Sequence, residues 1–188
     1  MKKKIILISG DPNSINSEII YKSWKKLNYA TRKKIYLVSN YLLLKKQLKK
    51  LKYPIGITKV KNINISSDTK NLKVIDIGLK FSNPFKVDFK NASEFVIKSL
   101  NYSHKLALRD DVIGIINCPI NKNLLKKDNI GVTEYLASKC KIRNNYESML
   151  IFNKELSVCP ITTHLDIKQV AKKISKKIII NKTIIIQR

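Results

Sequence analysis

Lys4-Ile5-Ile6-Leu7-Ile8-Ser9-Gly10-Asp11-Pro12-Asn13-Ser14-Ile15-Asn16-Ser17-Glu18 places a β-branched run, a turn and a helix start in direct succession. Lys4–Ser9 is short, apolar and bounded by Gly10-Asp11-Pro12, which reads as a buried strand. Asn16 or Ser17 is expected to cap the helix that follows. Glu18 in the first turn suits the positive end of the helix dipole. Ile19, Ile20, Trp24 and Leu27 then recur at helical spacing and should face the core. The lysines before Ile5 give this stretch a passing likeness to a signal peptide. The apolar run is short, however, and no small-residue cleavage site follows it.

The same alternation continues along the chain. Lys34–Val38 reads as a strand, and Tyr41–Leu51 as a helix with Leu44, Leu48 and Leu51 on one face between lysines. Ile55–Val60 and Lys73–Ile77 are further strands, separated by the polar segment Lys61–Asn71. Phe81–Asp88, with Pro84, is a loop or an edge segment. Ala92–Arg109 is the clearest long helix, with Phe95, Val96, Leu100, His104 and Leu108 at helical spacing; His104 reads as a partly buried helix residue. Val112–Ile116 has the continuous apolar character of a buried strand. A short helix, a turn at Gly131, a helix over Thr133–Cys140, strands at Glu147–Phe152 and Leu156–Ile161, and a last helix from Asp166 to Ile186 complete the reading. Strands alternating with helices imply a layered α/β fold with a largely parallel sheet, and no internal boundary divides residues 1–188.

Composition narrows the function classes. The chain has 188 residues, 44% hydrophobic and 27% charged, enough for a sizeable core. No run of about 18 apolar residues occurs, so the expectation is a cytoplasmic chain with no membrane span. Cys118, Cys140 and Cys159 lack C-x-x-C spacing, which speaks against a disulfide framework or a zinc finger. The formal net charge is +25, with 38 Lys and Arg against 13 Asp and Glu. Such a field attracts polyanions. The basic residues are nevertheless mostly lysines spread over the whole chain alongside abundant Ile and Asn, all with A/T-rich codons. Base composition therefore accounts for the excess without a nucleic-acid partner. A non-catalytic basic module binding a polyanion such as RNA is the alternative reading.

Candidate chemistry lies where an α/β sheet delivers its strand ends. Gly10–Glu18 offers a Gly-containing turn and a helix N-terminus, which suits an anion but recurs in many turns without ligands. Asn117-Cys118-Pro119-Ile120-Asn121-Lys122 places a lysine after an apolar strand, a point charge for a phosphate or carboxylate. Gly131–Ala137 and Pro160-Ile161-Thr162-Thr163-His164-Leu165 form the third region. His164, after an apolar strand and before a helix capped by Asp166, is placed as a metal ligand or a general acid/base. One histidine alone is not a site.

Taken in order, Gly10-Asp11-Pro12 with Ile15 and Glu18, Pro119-Ile120-Asn121-Lys122, Gly131 with Thr133-Glu134-Tyr135-Leu136-Ala137, and Thr162-Thr163-His164-Leu165 resemble the 4-hydroxythreonine-4-phosphate dehydrogenase family, in its N-terminal portion. The resemblance implies an isocitrate/isopropylmalate-dehydrogenase-like fold, truncated at its C-terminus, and a homodimer with shared active sites. It implies NAD or NADP and a divalent metal of the Zn, Mg or Co class. The reaction it implies is oxidation of the phosphorylated small molecule 4-phosphooxy-L-threonine, followed by decarboxylation, in pyridoxine (vitamin B6) biosynthesis. It makes His164 a metal ligand and Val132 and Thr133 the substrate-contacting pair. It names no cofactor-binding residue and no catalytic residue here. Val132 stands where the family has His, Ser14, Asn16 and Ser17 stand where it has Gly, Gly and Pro, and Cys118 stands where it has Gly. The family's other metal-binding histidines belong to a later segment, so these 188 residues alone are expected to be inactive.

Overall fold

A computed structural model describes residues 3–64, 70–125, 131–140, 147–163 and 165–187. The chain divides into two compact units, Met1–Val132 and Thr133–Arg188.

The first unit is built on five parallel strands: β1 (Lys4–Ile8), β2 (Ile35–Ser39), β3 (Ile57–Val60), β4 (Leu72–Asp76) and β5 (Val112–Asn117), in the order β3-β4-β2-β1-β5. The expected parallel α/β sheet is what forms. Because successive side chains in a strand point to opposite faces, β2 feeds two cores. Ile35 and Leu37 join Ile20, Trp24, Leu44, Leu48, Leu72 and Val74 on the face covered by α1 (Asn16–Lys26) and α3 (Tyr41–Lys50). Tyr36 and Val38 join Ile6, Val60, Ile63, Ile75 and Val112, against which Tyr102 and Leu106 of α4 (Phe89–Ala107) pack. All five residues of β2 are buried, as two-sided coverage requires. Burying each such aliphatic side chain contributes about 1.5–3 kcal/mol before the entropic cost of ordering it. A short helix, α2 (Tyr29–Arg32), capped by the Asn28 side chain, leads into β2.

Several boundaries differ from the sequence reading for local physical reasons. α1 is preceded by Ile15, with no side-chain cap, because the Asn16 carboxamide is engaged elsewhere. α4 starts at Phe89, three residues before Ala92, because Asp88 accepts the Asn91 amide and caps it there. Leu108 falls just past the helix and is exposed, not in the core. β5 is apolar yet lies at a sheet edge, with Ile113 58% and Ile116 55% exposed, so continuous apolar character did not mean burial on both faces. Part of Lys61–Asn71 lies outside the described residues.

The second unit comprises most of α5 (Val132–Lys139), an antiparallel hairpin of β6 (Ile151–Phe152) with β7 (Ser157–Val158), α6 (Ile167–Lys173) and α7 (Lys176–Gln187). The two strands expected here are only two residues each. Asp166 caps α6 through the Lys168 amide, as the sequence suggested. The single helix expected from Asp166 to Ile186 is two helices, because Ile174 adopts extended backbone (φ −77°, ψ 127°) between them. Among the described residues no helix is long and apolar enough to cross a membrane.

Candidate functional site

At the carboxyl end of the first unit's sheet, the loop after β1 locks against the loop after β5. Gly10 has φ +73°, and a Cβ there would lie 2.6 Å from the Pro119 carbonyl oxygen and 2.9 Å from that of Cys118. Only glycine accepts both the left-handed backbone and that approach. The Asp11 amide donates to the Pro119 carbonyl at 3.2 Å, and the Asn16 carboxamide donates to Pro119 at 2.8 Å and to the Asp11 carbonyl at 3.2 Å. Gln47 Nε2, from α3, donates to the carbonyls of Pro12 at 2.9 Å and Pro84 at 2.7 Å. Asn13 exchanges two hydrogen bonds with the backbone of Val87. The polar residues of Gly10–Ser17 are therefore occupied largely in tying this loop down. Cys118 is buried, and burial pushes its thiol up to about 11, so it packs as a hydrophobe and is a poor nucleophile. Lys122, the cation expected to matter at this strand end, is exposed at the start of a 3-10 turn, Lys122–Leu125, whose two leucines are buried.

The second unit holds a cavity of about 260 Å³. Thr133 and Glu134, in the first turn of α5, form one part of its wall. Pro160, Ile161, Thr162, Thr163 and Leu165 form another, with Glu147 and Met149 beside them. Lys173 of α6 and Ile178 and Lys182 of α7 complete it. Lys182 is 8% exposed and donates to the Glu147 carbonyl at 2.7 Å. The cavity thus offers threonine hydroxyls, two ammonium groups and two carboxylates. That chemistry holds a small polar ligand with charged substituents, and the volume is near the lower end for a metabolite site.

The structure brings Thr133 together with Thr162 and Thr163, three of the residues singled out from sequence. Val132 opens the same helix and is half-buried. His164 lies outside the described residues. Sequence reasoning missed Glu147, Lys173 and Lys182, none of which belongs to a recognisable motif. Lys182 is only the middle one of three polar residues, Asn181-Lys182-Thr183, between two isoleucine triplets, and nothing in the sequence singles it out.

A divalent metal needs about three protein ligands. Among the described residues no group of three His, Cys, Asp or Glu side chains could hold one. The chain contains two histidines, and His104 is half-buried on α4. The described residues alone therefore do not fit a metal centre.

Comparison with known proteins fixes the family. Residues 30–188 match the model of PdxA, pyridoxal phosphate biosynthetic protein. The chain belongs to the PdxA family. Two curated relatives named 4-hydroxythreonine-4-phosphate dehydrogenase agree with this. The Sulfurihydrogenibium protein is 28% identical over 98% of this chain and 57% of its own length. The Aquifex aeolicus protein is 27% identical over 100% of this chain and 58% of its own. The crystal structure of the dehydrogenase of that name from Klebsiella pneumoniae superposes with a TM-score of 0.81 at 24% identity, covering 96% of this chain and 57% of that one, and shows the shared fold. The chain thus spans a little over half the length of these relatives.

Proposed function

We propose that this PdxA-family chain supplies part of the substrate site of a 4-hydroxythreonine-4-phosphate dehydrogenase. In this reading the enzyme oxidises 4-phosphooxy-L-threonine with NAD or NADP in pyridoxal phosphate biosynthesis, in the cytoplasm, as a homodimer. The observation that carries the reading is the cavity of the second unit, where Thr133 meets Thr162 and Thr163. These are the segments that resemble the family motifs, and the family match runs through all of them.

The role of this chain is to bind and orient. Thr133, at the start of α5, presents a hydroxyl that can donate to a substrate oxygen. The threonine pair from 162 and 163 presents two more donors from the opposite segment. Val132 cannot make the hydrogen bond that a histidine would, so Thr133 carries more of the orientation. By the family resemblance His164 would be one ligand of a divalent cation, whose chemistry is that of a Lewis acid. By the same resemblance, the family's remaining metal ligands and its nicotinamide site lie in its later segment.

Calorimetric titration with 4-phosphooxy-L-threonine tests the reading. Wild-type protein should bind it, and Thr133→Ala should weaken binding about 10-fold, the loss of one hydrogen bond to a charged or polarised group. With only two histidines in 188 residues, the chain on its own should give no substrate-dependent NAD(P) reduction. Absence of binding at millimolar ligand, or identical binding by Thr133→Ala, would contradict the assignment.

A further inference from the structure

The segment between β4 and α4 interleaves aromatic rings with cations, as Lys80-Phe81, Phe85-Lys86 and Phe89-Lys90. The chain has only five phenylalanines, and Phe81, Phe85 and Phe89 all fall in this short stretch. Phe85 is 42% and Phe89 58% exposed. The backbone fixes that exposure. Pro84 and Val87 take the buried positions, where Gln47 donates to the Pro84 carbonyl and Asn13 exchanges two hydrogen bonds with Val87. The Asn83 side chain accepts the Phe85 amide at 2.9 Å, and the Asn83 carbonyl accepts the Lys86 amide at 3.2 Å. Asp88 then caps α4 directly before Phe89. Phe81 is half-buried, and Lys46 Nζ of α3 stands 5.3 Å from its ring centre, within cation-π range.

Two open hollows border this segment. One, of about 520 Å³, is lined by Lys46, Lys49 and Lys50 of α3 with Ser82 and Pro84. The other, of about 560 Å³, has Lys80, Lys90 and Lys98 on its wall. Glu94 lines it too but pairs with Lys98 at 3.7 Å, and Asp88 is engaged by the amide and the side chain of Asn91. Base composition explains the number of lysines, not fixed and exposed rings set between them. Such a cluster suits a ligand that alternates flat apolar faces with negative charges. We propose that this surface of the first unit binds single-stranded nucleic acid, with Phe85 and Phe89 stacking on bases and the lysines of the two hollows following the phosphates. A duplex fits less well, because its bases are stacked on one another and offer no face to a phenyl ring. An acidic polypeptide would satisfy the lysines and leave the rings unused. The surface shares no residue with the cavity of the second unit, so it stands or falls independently of the substrate reading.

Fluorescence anisotropy of the full chain with a labelled oligothymidylate of about 12 nucleotides, at about 50 mM salt, tests the proposal. Wild-type protein should bind the strand, and the double variant Phe85→Ala, Phe89→Ala should weaken binding about 10-fold or more with the salt dependence unchanged. The triple variant Lys46→Gln, Lys80→Gln, Lys90→Gln should instead flatten the log–log salt slope by about 2, the counterions of three phosphate contacts. Replacing the exposed Lys154, Lys168 and Lys172 of the second unit with Gln removes the same charge and should change affinity by less than about 3-fold. Poly-L-glutamate, an anion without bases, should bind wild type and the phenylalanine variant alike. The proposal is overturned if wild type fails to bind the strand at about 100 μM protein. It is also overturned if the phenylalanine variant binds the strand as wild type does, if it loses polyglutamate equally, or if the second-unit variant loses as much as the triple lysine variant. Should the phenylalanine variant not fold, the ring-proton spectrum of wild-type protein decides. The Phe85 and Phe89 signals must move upfield with the oligothymidylate and not with poly-L-glutamate, and unmoved signals overturn the proposal.

Discussion

Lys73 and Lys182 are both buried, one in the sheet of the first unit and one on the last helix of the second, and they are held in different ways. Lys73 on β4 is 1% exposed. Its Nζ donates to the Lys33 carbonyl at 2.6 Å and lies 4.0 Å from the centre of the Tyr36 ring. Burial, with Lys4 adding repulsion, pushes this ammonium down to about 8. Lys182 donates to the Glu147 carbonyl and lines a cavity. The contrast extends to the surrounding polar groups. Around Gly10, Asn13, Asn16 and Gln47 the first unit spends its polar side chains on its own backbone, whereas the second presents Thr133, Thr162, Thr163 and Lys182 around open space. A buried polar group whose partners are internal is part of the scaffold. One that lines a void is available to a ligand.

The largest expected effect breaks the closed side of this comparison. Gly10→Ala forces a Cβ to within 2.6 Å of the Pro119 carbonyl and 2.7 Å of Asn16 Nδ2 at a positive φ. It should cost about 4 kcal/mol of stability, measured by denaturant unfolding, because the backbone contact cannot yield. A loss below about 1 kcal/mol would show that the two loops are not locked.

Lys73 gives the next effect, through pH. In the unfolded chain its pKa returns to about 10.5, above the folded value of about 8. Between those values the unfolded state binds more protons, so wild-type stability rises with pH relative to Lys73→Met and the difference is flat below pH 7. The rise should be on the order of 3 kcal/mol at most. Parallel stability–pH curves for the two proteins would mean that the ammonium is better solvated than its burial implies.

Gln47→Leu is smaller again. It leaves the Pro12 and Pro84 carbonyls without their donor and should cost about 2 kcal/mol in unfolding experiments. Binding of 4-phosphooxy-L-threonine by the folded variant should stay within about 2-fold of wild type, since Gln47 belongs to the closed network. A large loss of affinity with normal stability would merge the two regions that the account keeps apart.

The parallel sheet was legible because its signal is local and repeated. Ile35-Tyr36-Leu37-Val38 is a continuous run of apolar and aromatic strand formers, and it is buried on both faces as such a run predicts. The edge position of β5 was not legible, since Val112–Ile116 has the same character and strand order is a tertiary fact. The break at Ile174 was hidden for a similar reason, because isoleucine and serine carry no strong stop signal. Of the candidate site, Thr133 and Thr163 were reached through motifs. Lys182 was invisible, for it is one lysine among many, and only its enclosure sets it apart. Asn16 was misread as a possible helix cap, when its carboxamide braces Pro119 across 103 positions of sequence.

Backbone amide shifts during titration with 4-phosphooxy-L-threonine test the central claim most directly. The shifts should gather at Thr133, Thr162, Thr163 and Lys182, while Gly10–Ser17 and Asn117–Lys122 stay in place. Shifts confined to those two loops, with the cavity residues unmoved, would contradict it.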